Sequence, residues 1–145
     1  MKKAADVLRE LGIEFCSRVV SAHRSPELLE KTIAEIEQDG TEVIIAGAGL
    51  AAHLPGVIAS KTLIPVIGVP VSSGALNGID ALYSIVQMPK SVPVAAVGVD
   101  NAANAAYLSA EILGIKYPEI RKKLENLRAK TKEDLAKNSS IDLLS

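Results

Sequence analysis

Residues 43–49 read Val43-Ile44-Ile45-Ala46-Gly47-Ala48-Gly49, an unbroken apolar run that passes into a glycine-rich segment. Continuous apolar residues, without polar residues in alternation, are typical of a strand buried on both faces of a parallel sheet. We predict a short helix near Pro55 and a second strand over residues 65–71. Together these segments predict a β-α-β unit, in which a right-handed crossover joins two parallel strands.

The same alternation of helices and strands continues on both sides of this unit. We predict helices over residues 1–11, 26–39, 78–88 and 101–113, and strands over residues 13–20 and 94–99. In the helix over residues 78–88 we expect four side chains to face inward: Ile79, Leu82, Tyr83 and Val86. The whole pattern predicts an α/β protein with a parallel sheet.

The C-terminal part of the chain has a different composition. From Pro118 to about residue 137 charged residues dominate, and a thin apolar stripe predicts a helix that lies on the domain or on a neighbouring subunit. Residues 138–145 are typical of a frayed tail. We therefore divide the chain into an α/β domain, residues 1–115, and a C-terminal helix and tail for oligomer packing, residues 116–145.

Composition limits the class of protein. Of the 145 residues 48% are hydrophobic and only 3% aromatic, which indicates one domain with an aliphatic, alanine-rich core. A net charge of −1 argues against binding to nucleic acid. The single cysteine, Cys16, excludes an internal disulfide and fits a reducing compartment. No apolar run approaches the ~18 residues of a membrane span, and the first residues lack a signal-peptide core, so we predict a cytoplasmic protein.

The two histidines each follow a predicted strand. His23 lies beside Arg24 just after the strand over residues 13–20, and His53 follows the strand that ends near Ala46. The carboxyl ends of parallel strands meet at one edge of the sheet, where ligands bind in open α/β folds. A single histidine is more often structural, but two at matching strand ends favour acid/base chemistry. Arg24 suits a phosphate or carboxylate, with a surface ion pair as the alternative interpretation.

Residues 43–79 contain no acidic residue and only one lysine, Lys61. This excludes a carboxylate metal site within the segment, argues against paired-carboxylate chemistry, and leaves an edge that would not repel an anion. The pattern Gly47-x-Gly49-x-x-Ala52 matches the dinucleotide fingerprint, but no acid follows before Asp80 to bind a ribose. We interpret the glycines as positions where the backbone comes close to a ligand, and a structural turn is the alternative.

The sequence contains neither a P-loop nor a nucleophile elbow, G-x-S-x-G, which argues against P-loop ATP hydrolysis and against an elbow serine. Residues 72–78 are small, polar and rich in glycine, and they follow a predicted strand at the same edge of the sheet. They fit either a mobile lid or an ordinary loop between a strand and a helix. By themselves these features predict a small-molecule site with a histidine acid/base and an arginine that binds an anion.

Five motifs occur in a characteristic order. They are Ser21-Ala22-His23-Arg24-Ser25-Pro26; Ala46-Gly47-Ala48-Gly49 with Ala51-Ala52-His53-Leu54-Pro55-Gly56; Pro65-Val66-Ile67-Gly68-Val69-Pro70-Val71; Ala75-Leu76-Asn77-Gly78; and Ser84-Ile85-Val86-Gln87-Met88-Pro89. In these motifs the chain resembles the class I N5-carboxyaminoimidazole ribonucleotide mutases of purine biosynthesis, over roughly residues 1–120. The resemblance implies a flavodoxin-like, three-layer α/β/α sandwich with a parallel sheet, assembled as a homo-octamer.

The resemblance also implies a reaction. Members of this family move a carboxylate from the exocyclic nitrogen of an aminoimidazole ribonucleotide to ring carbon C4. The carboxylate leaves as carbon dioxide, which is trapped and then attacked by C4. The family implies no metal, nucleotide or other cofactor, and its expected partner is the small ribonucleotide, with neither nucleic acid nor a membrane involved.

The family's functional residues can be carried over to matching positions of this chain. His23 matches the catalytic histidine that moves the proton between nitrogen and C4. We also assign His53 as catalytic, leaving open whether it transfers a proton or only shapes the pocket. Arg24 matches the phosphate-binding residue, residues 47–49 line the base and carboxylate pocket, and residues 72–78 cover the site. The assigned substrate-binding residues are Ser21, Arg24, Gly47, Ala48, Gly49, Ser73 and Leu76.

The chain departs from the family pattern in two places. Leu50 stands where many relatives carry glycine. Relatives open with a strand and a Gly-Ser-x-Ser-Asp loop that binds phosphate and ribose, whereas this sequence begins inside the first helix. We hypothesise that the sequence is truncated at its start, which would leave a gap in the sheet and unpaired backbone groups.

Two other functions stay open at this point. One is a carboxylase that makes the same product from aminoimidazole ribonucleotide and free carbon dioxide. The other is a non-catalytic protein that binds the ribonucleotide or serves in assembly.

Overall fold

The computed structural model describes residues 1–137, and the predicted tail over residues 138–145 lies outside the described part. Six helices and three strands follow one another along it. In chain order they are α1 (Lys2–Glu10), α2 (Pro26–Ile36), β1 (Ile44–Gly49), α3 (Leu54–Ala59), β2 (Val66–Val71), α4 (Ile79–Val86), β3 (Ala95–Ala96), α5 (Ala102–Leu113) and α6 (Pro118–Lys137).

The sheet has the order β1-β2-β3, and both strand pairs are parallel. Strands β1 and β2 pair over six positions, from Ile44 opposite Val66 to Gly49 opposite Val71. Helix α3 makes the crossover between them. The predicted β-α-β unit is therefore confirmed, and β2 is the central strand because it is hydrogen-bonded on both sides.

Helices cover both faces of the sheet. On one face α1, α5 and α6 pack against Ile67 and Val69 of β2, and the contacts are small and aliphatic, with Ala105, Ala106 and Ala110 fully buried. On the other face α2 and α3 pack against β1 and Val66. Alternate residues of β2 thus serve opposite faces, as the two-residue period of a strand requires. This arrangement confirms the three-layer α/β/α sandwich.

Helix α4 packs closely on β2 because Gly68 has no side chain. A Cβ atom at Gly68 would lie 2.5 Å from Cγ2 of Ile85. Ile85 and Ala81, one helical turn apart, are the fully buried residues of α4. The prediction that Ile79, Tyr83 and Val86 face inward is therefore wrong; they are 49%, 61% and 45% exposed. The helix is apolar nearly all round, so periodicity alone did not show which side faces the sheet.

The strand predicted over residues 13–20 is also wrong, because these residues have no regular secondary structure. Val19 is fully exposed, and Phe15 is 39% exposed. A strand is stable only when its backbone groups pair with a neighbouring strand. In the flavodoxin-like order 2-1-3-4-5, a second strand pairs only with the first. Within residues 1–137, β1 pairs with β2 alone, so residues 13–20 have no partner strand.

The remaining helices and strands differ from prediction mainly in length. Helix α2 ends at Ile36, three residues before the predicted end at residue 39, and β3 covers two residues of the six predicted. Helix α5 begins as expected, with the Asn101 side chain accepting a hydrogen bond from the Asn104 amide. Helix α6 lies on the domain, where Leu124 joins the core beside α1 and α5. The Lys123 ammonium also donates to the Leu11 carbonyl at the end of α1, at 2.6 Å.

Candidate functional site

The two histidines meet at the carboxyl edge of the sheet. His23 Nε2 and His53 Nδ1 are 2.7 Å apart, and the rings lie edge to face with centroids 4.8 Å apart. At this distance one nitrogen carries the hydrogen and the other accepts it. The pair therefore shares one proton across the contact. Both residues are exposed, so a ligand can reach this proton from solvent.

His53 is held by the β-α-β unit. It is the N-cap residue of α3, directly after the turn that leaves β1. Its amide donates to the Ala51 carbonyl at 2.8 Å, and its carbonyl accepts from the Val57 amide at 2.9 Å. The backbone of His53 is thus fixed on both sides.

His23 is held by a short turn in front of α2. The Ser21 carbonyl accepts from the Ser25 amide at 3.0 Å, and the Ser21 hydroxyl accepts from the Arg24 amide at 3.2 Å. The same hydroxyl accepts from Arg24 Nε at 3.3 Å. Ser21 thus shapes the turn and orients the exposed guanidinium. This contact uses only Nε, so the two terminal nitrogens of Arg24 stay available to bind an anion.

Gly47 and Gly49 lie within β1, which extends to Gly49. The prediction that this strand ends near Ala46, with the two glycines after it, is therefore wrong. A Cβ atom at Gly47 would come within 2.6 Å of the Met1 sulfur. At Gly49 it would come within 2.6 Å of the Ser73 hydroxyl oxygen and 2.9 Å of the Val71 carbonyl oxygen. Gly49 is therefore needed for close contact with the backbone of β2, whereas the neighbour of Gly47 is the flexible end of the Met1 side chain, which can move aside.

Residues 72–78, called here the 72–78 loop, leave the end of β2 beside β1. Ser73 lies on Gly49, and a Cβ atom at Gly74 would lie 2.9 Å from Cδ2 of Leu50. Leu50 has a positive φ of 55°, a conformation that glycine adopts more easily. Leu76 is 61% exposed on the outer side of the loop. The loop therefore packs on the β1 end from which the His53 turn begins.

Two groups of predicted site residues are joined by direct contacts. One is His23 with His53, with Ser21 and Arg24 on the same turn, and the other is Gly49 with Ser73. Among residues 1–137, no hydrogen bond or ring contact joins Arg24 or Leu76 to either histidine. In the same range no group of three or more histidine, cysteine, aspartate or glutamate residues is placed to hold a metal ion. No helix in that range is long and apolar enough to cross a membrane.

A sequence model of the AIR carboxylase family matches residues 1–134. The chain belongs to this family. The N5-carboxyaminoimidazole ribonucleotide mutase of Pyrococcus abyssi is 59% identical over 128 residues, which is 88% of this chain and 74% of that protein. The mutase of the same name from Thermotoga maritima is 54% identical over 135 residues, covering 93% and 79% of the two chains. The resemblance seen in the five motifs is therefore confirmed.

A solved structure of the family has the same fold. The crystal structure of Treponema denticola PurE superposes with a TM-score of 0.89 at 28% sequence identity. The match covers 99% of this chain and 89% of that one. The three-layer arrangement around the parallel sheet is thus the fold of this AIR carboxylase family member.

The structure adds one residue that the sequence analysis missed, Asp100. It follows the β3 segment at the same edge of the sheet, and its carboxylate accepts hydrogen bonds from the amide and hydroxyl of Ser72. The Ser72 hydroxyl and amide, together with the charge of Lys3, hold the pKa of the Asp100 carboxyl below its usual value. Its position at a predicted strand end is the same signal that identified the histidines. Asp100 lies beyond the acid-free segment, residues 43–79, which argued against paired-carboxylate chemistry.

Proposed function

We propose that this chain is an isomerase that converts N5-carboxyaminoimidazole ribonucleotide to 4-carboxy-5-aminoimidazole ribonucleotide in purine biosynthesis. Family membership and the names of relatives at 59% and 54% identity support the activity. The observation that carries it is the 2.7 Å contact between His23 and His53, because the reaction needs one mobile proton at an open edge of the sheet.

The proposed reaction needs one proton that leaves the enzyme and returns to it. The bond between the exocyclic nitrogen and the carboxylate carbon breaks, carbon dioxide leaves, and protonated His23 donates its proton to that nitrogen. Ring carbon C4 then attacks the carbon dioxide and forms the new carbon–carbon bond. The proton released from C4 returns to His23, so the enzyme ends in its starting state. An imidazole suits both steps because its ordinary pKa lies near neutral pH.

His53 has a supporting role in this proposal. A hydrogen bond to one ring nitrogen of a histidine fixes the tautomer and the orientation of that ring. Because His53 Nδ1 lies 2.7 Å from His23 Nε2, it fixes the orientation of the His23 ring and, when that ring is neutral, which of its nitrogens carries the hydrogen. We assign His53 to this orienting role before the substrate enters between the rings.

The remaining assigned residues bind the ribonucleotide. Arg24, oriented by the Ser21 hydroxyl, binds the phosphate. Residues 47–49 form the floor beneath the base and the carboxylate, with Ala48 half-buried between the two glycines. Ser73 and Leu76 cover the site from the 72–78 loop. Expelling water under this cover would keep carbon dioxide close to C4.

A carboxylase is the second candidate, because the family model that matches the chain is described as AIR carboxylase. Feeding experiments separate the two. A mutase consumes N5-carboxyaminoimidazole ribonucleotide at a rate that added bicarbonate does not change. A carboxylase instead consumes aminoimidazole ribonucleotide in proportion to carbon dioxide. Binding of both ribonucleotides without turnover would overturn both proposals in favour of the non-catalytic function.

We also propose that the chain works as a homo-octamer in the cytoplasm. Ile79, Tyr83 and Val86 make one side of α4 apolar and exposed, a surface that monomeric proteins rarely leave in contact with water. The free, exposed Cys16 fits a reducing compartment. Tyr83→Glu should lower the mass in analytical ultracentrifugation. The control Leu63→Glu, at a fully exposed apolar residue outside α4, should not. Equal masses for wild type and Tyr83→Glu would contradict this interface.

A further inference from the structure

The carboxylate of Asp100 holds the first residue of the 72–78 loop by two hydrogen bonds. The Ser72 amide donates to Oδ1 at 2.9 Å, and the Ser72 hydroxyl donates to Oδ2. A carboxylate that accepts from two donors of one residue fixes both the backbone and the side chain of that residue. Hydrogen bonds to an ionised acceptor are also stronger than those between neutral groups.

The backbone of Asp100 is itself fixed on the central strand. Its amide donates to the Pro70 carbonyl at 2.8 Å, which continues the β2–β3 pairing beyond Ala96. Its φ of +57° lies in the left-handed region, which aspartate adopts more readily than most residues. This conformation persists because the neighbouring hydrogen bonds determine it, as is common beside functional sites.

The residues next to these two hydrogen bonds lie in the proposed substrate site. Ser73, the neighbour of Ser72, packs on Gly49 of β1. At the other end of the loop, a Cβ atom at Gly78 would lie 2.6 Å from Cγ1 of Val99 and 3.1 Å from Cα of Ser72. Residues 99 and 100 therefore touch both ends of the 72–78 loop. A change at Asp100 would move Ser73 relative to the floor formed by β1.

We propose that Asp100 is a positioning residue that sets the 72–78 loop over the substrate site through Ser72. The inference rests on the proposed function, because it assigns Asp100 to the same site. Asp100 does not touch the reacting atoms in this account. It acts through Ser72 on Ser73 and, along the loop, on Leu76.

Three variants test the proposal. Asp100→Ala removes both acceptors, whereas Asp100→Asn keeps an acceptor for the Ser72 amide and can donate to the Ser72 hydroxyl. The control is Asp39→Ala, because Asp39 also accepts from the amide and hydroxyl of one residue, Thr41, on its Oδ1, but lies between α2 and β1. In hydrogen exchange, the Ser72 amide should exchange about tenfold faster or more in Asp100→Ala, and near the wild-type rate in Asp100→Asn and Asp39→Ala.

Affinity for the product ribonucleotide, measured by calorimetry, and steady-state kinetics complete the test. Asp100→Ala should raise Kd and KM about tenfold while kcat changes little, and Asp100→Asn should restore most of the loss. An unchanged exchange rate at Ser72 in Asp100→Ala would overturn the proposal, as would faster exchange with unchanged Kd and KM. If wild type binds the product without turnover, the proposed function fails, whereas the exchange and affinity results still decide the role of Asp100.

Discussion

The two histidines of the site stand on regions of very different construction. Residues 43–71 contain β1 and β2, which pair over six positions, and residues 66–70 of β2 are buried throughout. Residues 13–25 contain no strand; backbone hydrogen bonds join them to α1 and α2 at their two ends, where the Ile13 amide donates to the Leu8 carbonyl and the Ser25 carbonyl accepts from the Leu29 amide. Val20 and Ala22 pack beside α2, and Arg18 forms an exposed ion pair with Glu35 at 3.2 Å.

Because of this difference, the two histidines are held with unequal firmness. The backbone of His53 is tied to the sheet, because the turn that carries His53 directly follows β1. His23 depends on the five-residue turn from Ser21 to Ser25 and on its contact with His53. Segments with few buried contacts open locally at low cost, whereas β1 is paired over six positions with the central strand β2 and opens at a higher cost. The molecule therefore combines a rigid half-site with one that can move.

The largest expected effect separates the two histidines by their chemistry. In the proposed mechanism His23→Asn lowers turnover about 10²–10⁴-fold, since the proton carrier is lost, while product affinity stays within a few-fold. His53→Asn keeps the carrier and should lower turnover less. Steady-state kinetics and calorimetry measure the two quantities separately. Loss of binding in parallel with turnover in His23→Asn would reduce His23 to a residue that shapes the pocket.

A matched pair of core and surface substitutions tests the contrast in stability. Ile67→Ala in the fully buried centre of β2 should lower the free energy of unfolding by about 2–5 kcal/mol. Val19→Ala, at a fully exposed position, should change it by less than about 0.5 kcal/mol. Urea unfolding followed by circular dichroism gives both values. A cost at Val19 comparable to that at Ile67 would mean that residues 13–25 are packed in solution.

Arg24 sharpens the comparison, because it should affect function without affecting stability. Arg24→Ala removes charge-assisted hydrogen bonds to the proposed phosphate, worth about 1.5–3 kcal/mol of binding free energy. Arg24→Lys keeps the positive charge but lacks the planar guanidinium, so its affinity for the ribonucleotide should lie between those of wild type and Arg24→Ala. The urea midpoint should match wild type in both variants, since Arg24 is exposed. Wild-type affinity in Arg24→Ala would place the phosphate elsewhere.

The smallest expected effect concerns a carboxylate just before β1. Hydrogen bonds from Lys116 at 2.8 Å and Tyr117 at 2.7 Å hold the pKa of the Glu42 carboxyl below its usual value. A carboxyl whose pKa is lower in the folded state than in the unfolded state stabilises the protein at pH values above its unfolded-state pKa. This contribution to the free energy of unfolding is lost as the pH falls through the folded-state pKa. Glu42→Gln should therefore be less stable than wild type at pH 7, with the difference shrinking on acidification.

The control for that measurement lies in the other region. Glu14→Gln changes an exposed glutamate in residues 13–25 and should leave the free energy of unfolding at pH 7 within about 0.5 kcal/mol of wild type. Thermal unfolding between pH 3 and pH 7 compares the three proteins. A constant gap between Glu42→Gln and wild type across this range would show that the ion pair with Lys116 is not the cause.

Much of the molecule follows from the amino-acid sequence alone. The apolar runs at β1 and β2 predict buried parallel strands, because no polar residue interrupts them. Helix α5 lies within one residue of its predicted bounds, and the Asn101 side chain caps its N-terminus. The two histidines at strand ends predict a shared edge, because parallel strands all point the same way. These features depend on neighbours in the sequence, and local patterns record them well.

Only the tertiary structure shows the features that depend on residues far apart in the sequence. Residues 13–20 have a strand-like composition but no adjacent strand in the described part of the chain, so their backbone pairs with none. Ala81 and Ile85 face β2 because Gly68 leaves room for them. Gly68 precedes them by thirteen or more residues, so the pattern within α4 does not reveal this contact. Asp100 reaches Ser72 across twenty-eight positions of sequence. Periodicity and composition describe one segment at a time, whereas strand pairing, packing and the hydrogen bonds of Asp100 are set where two segments meet in space.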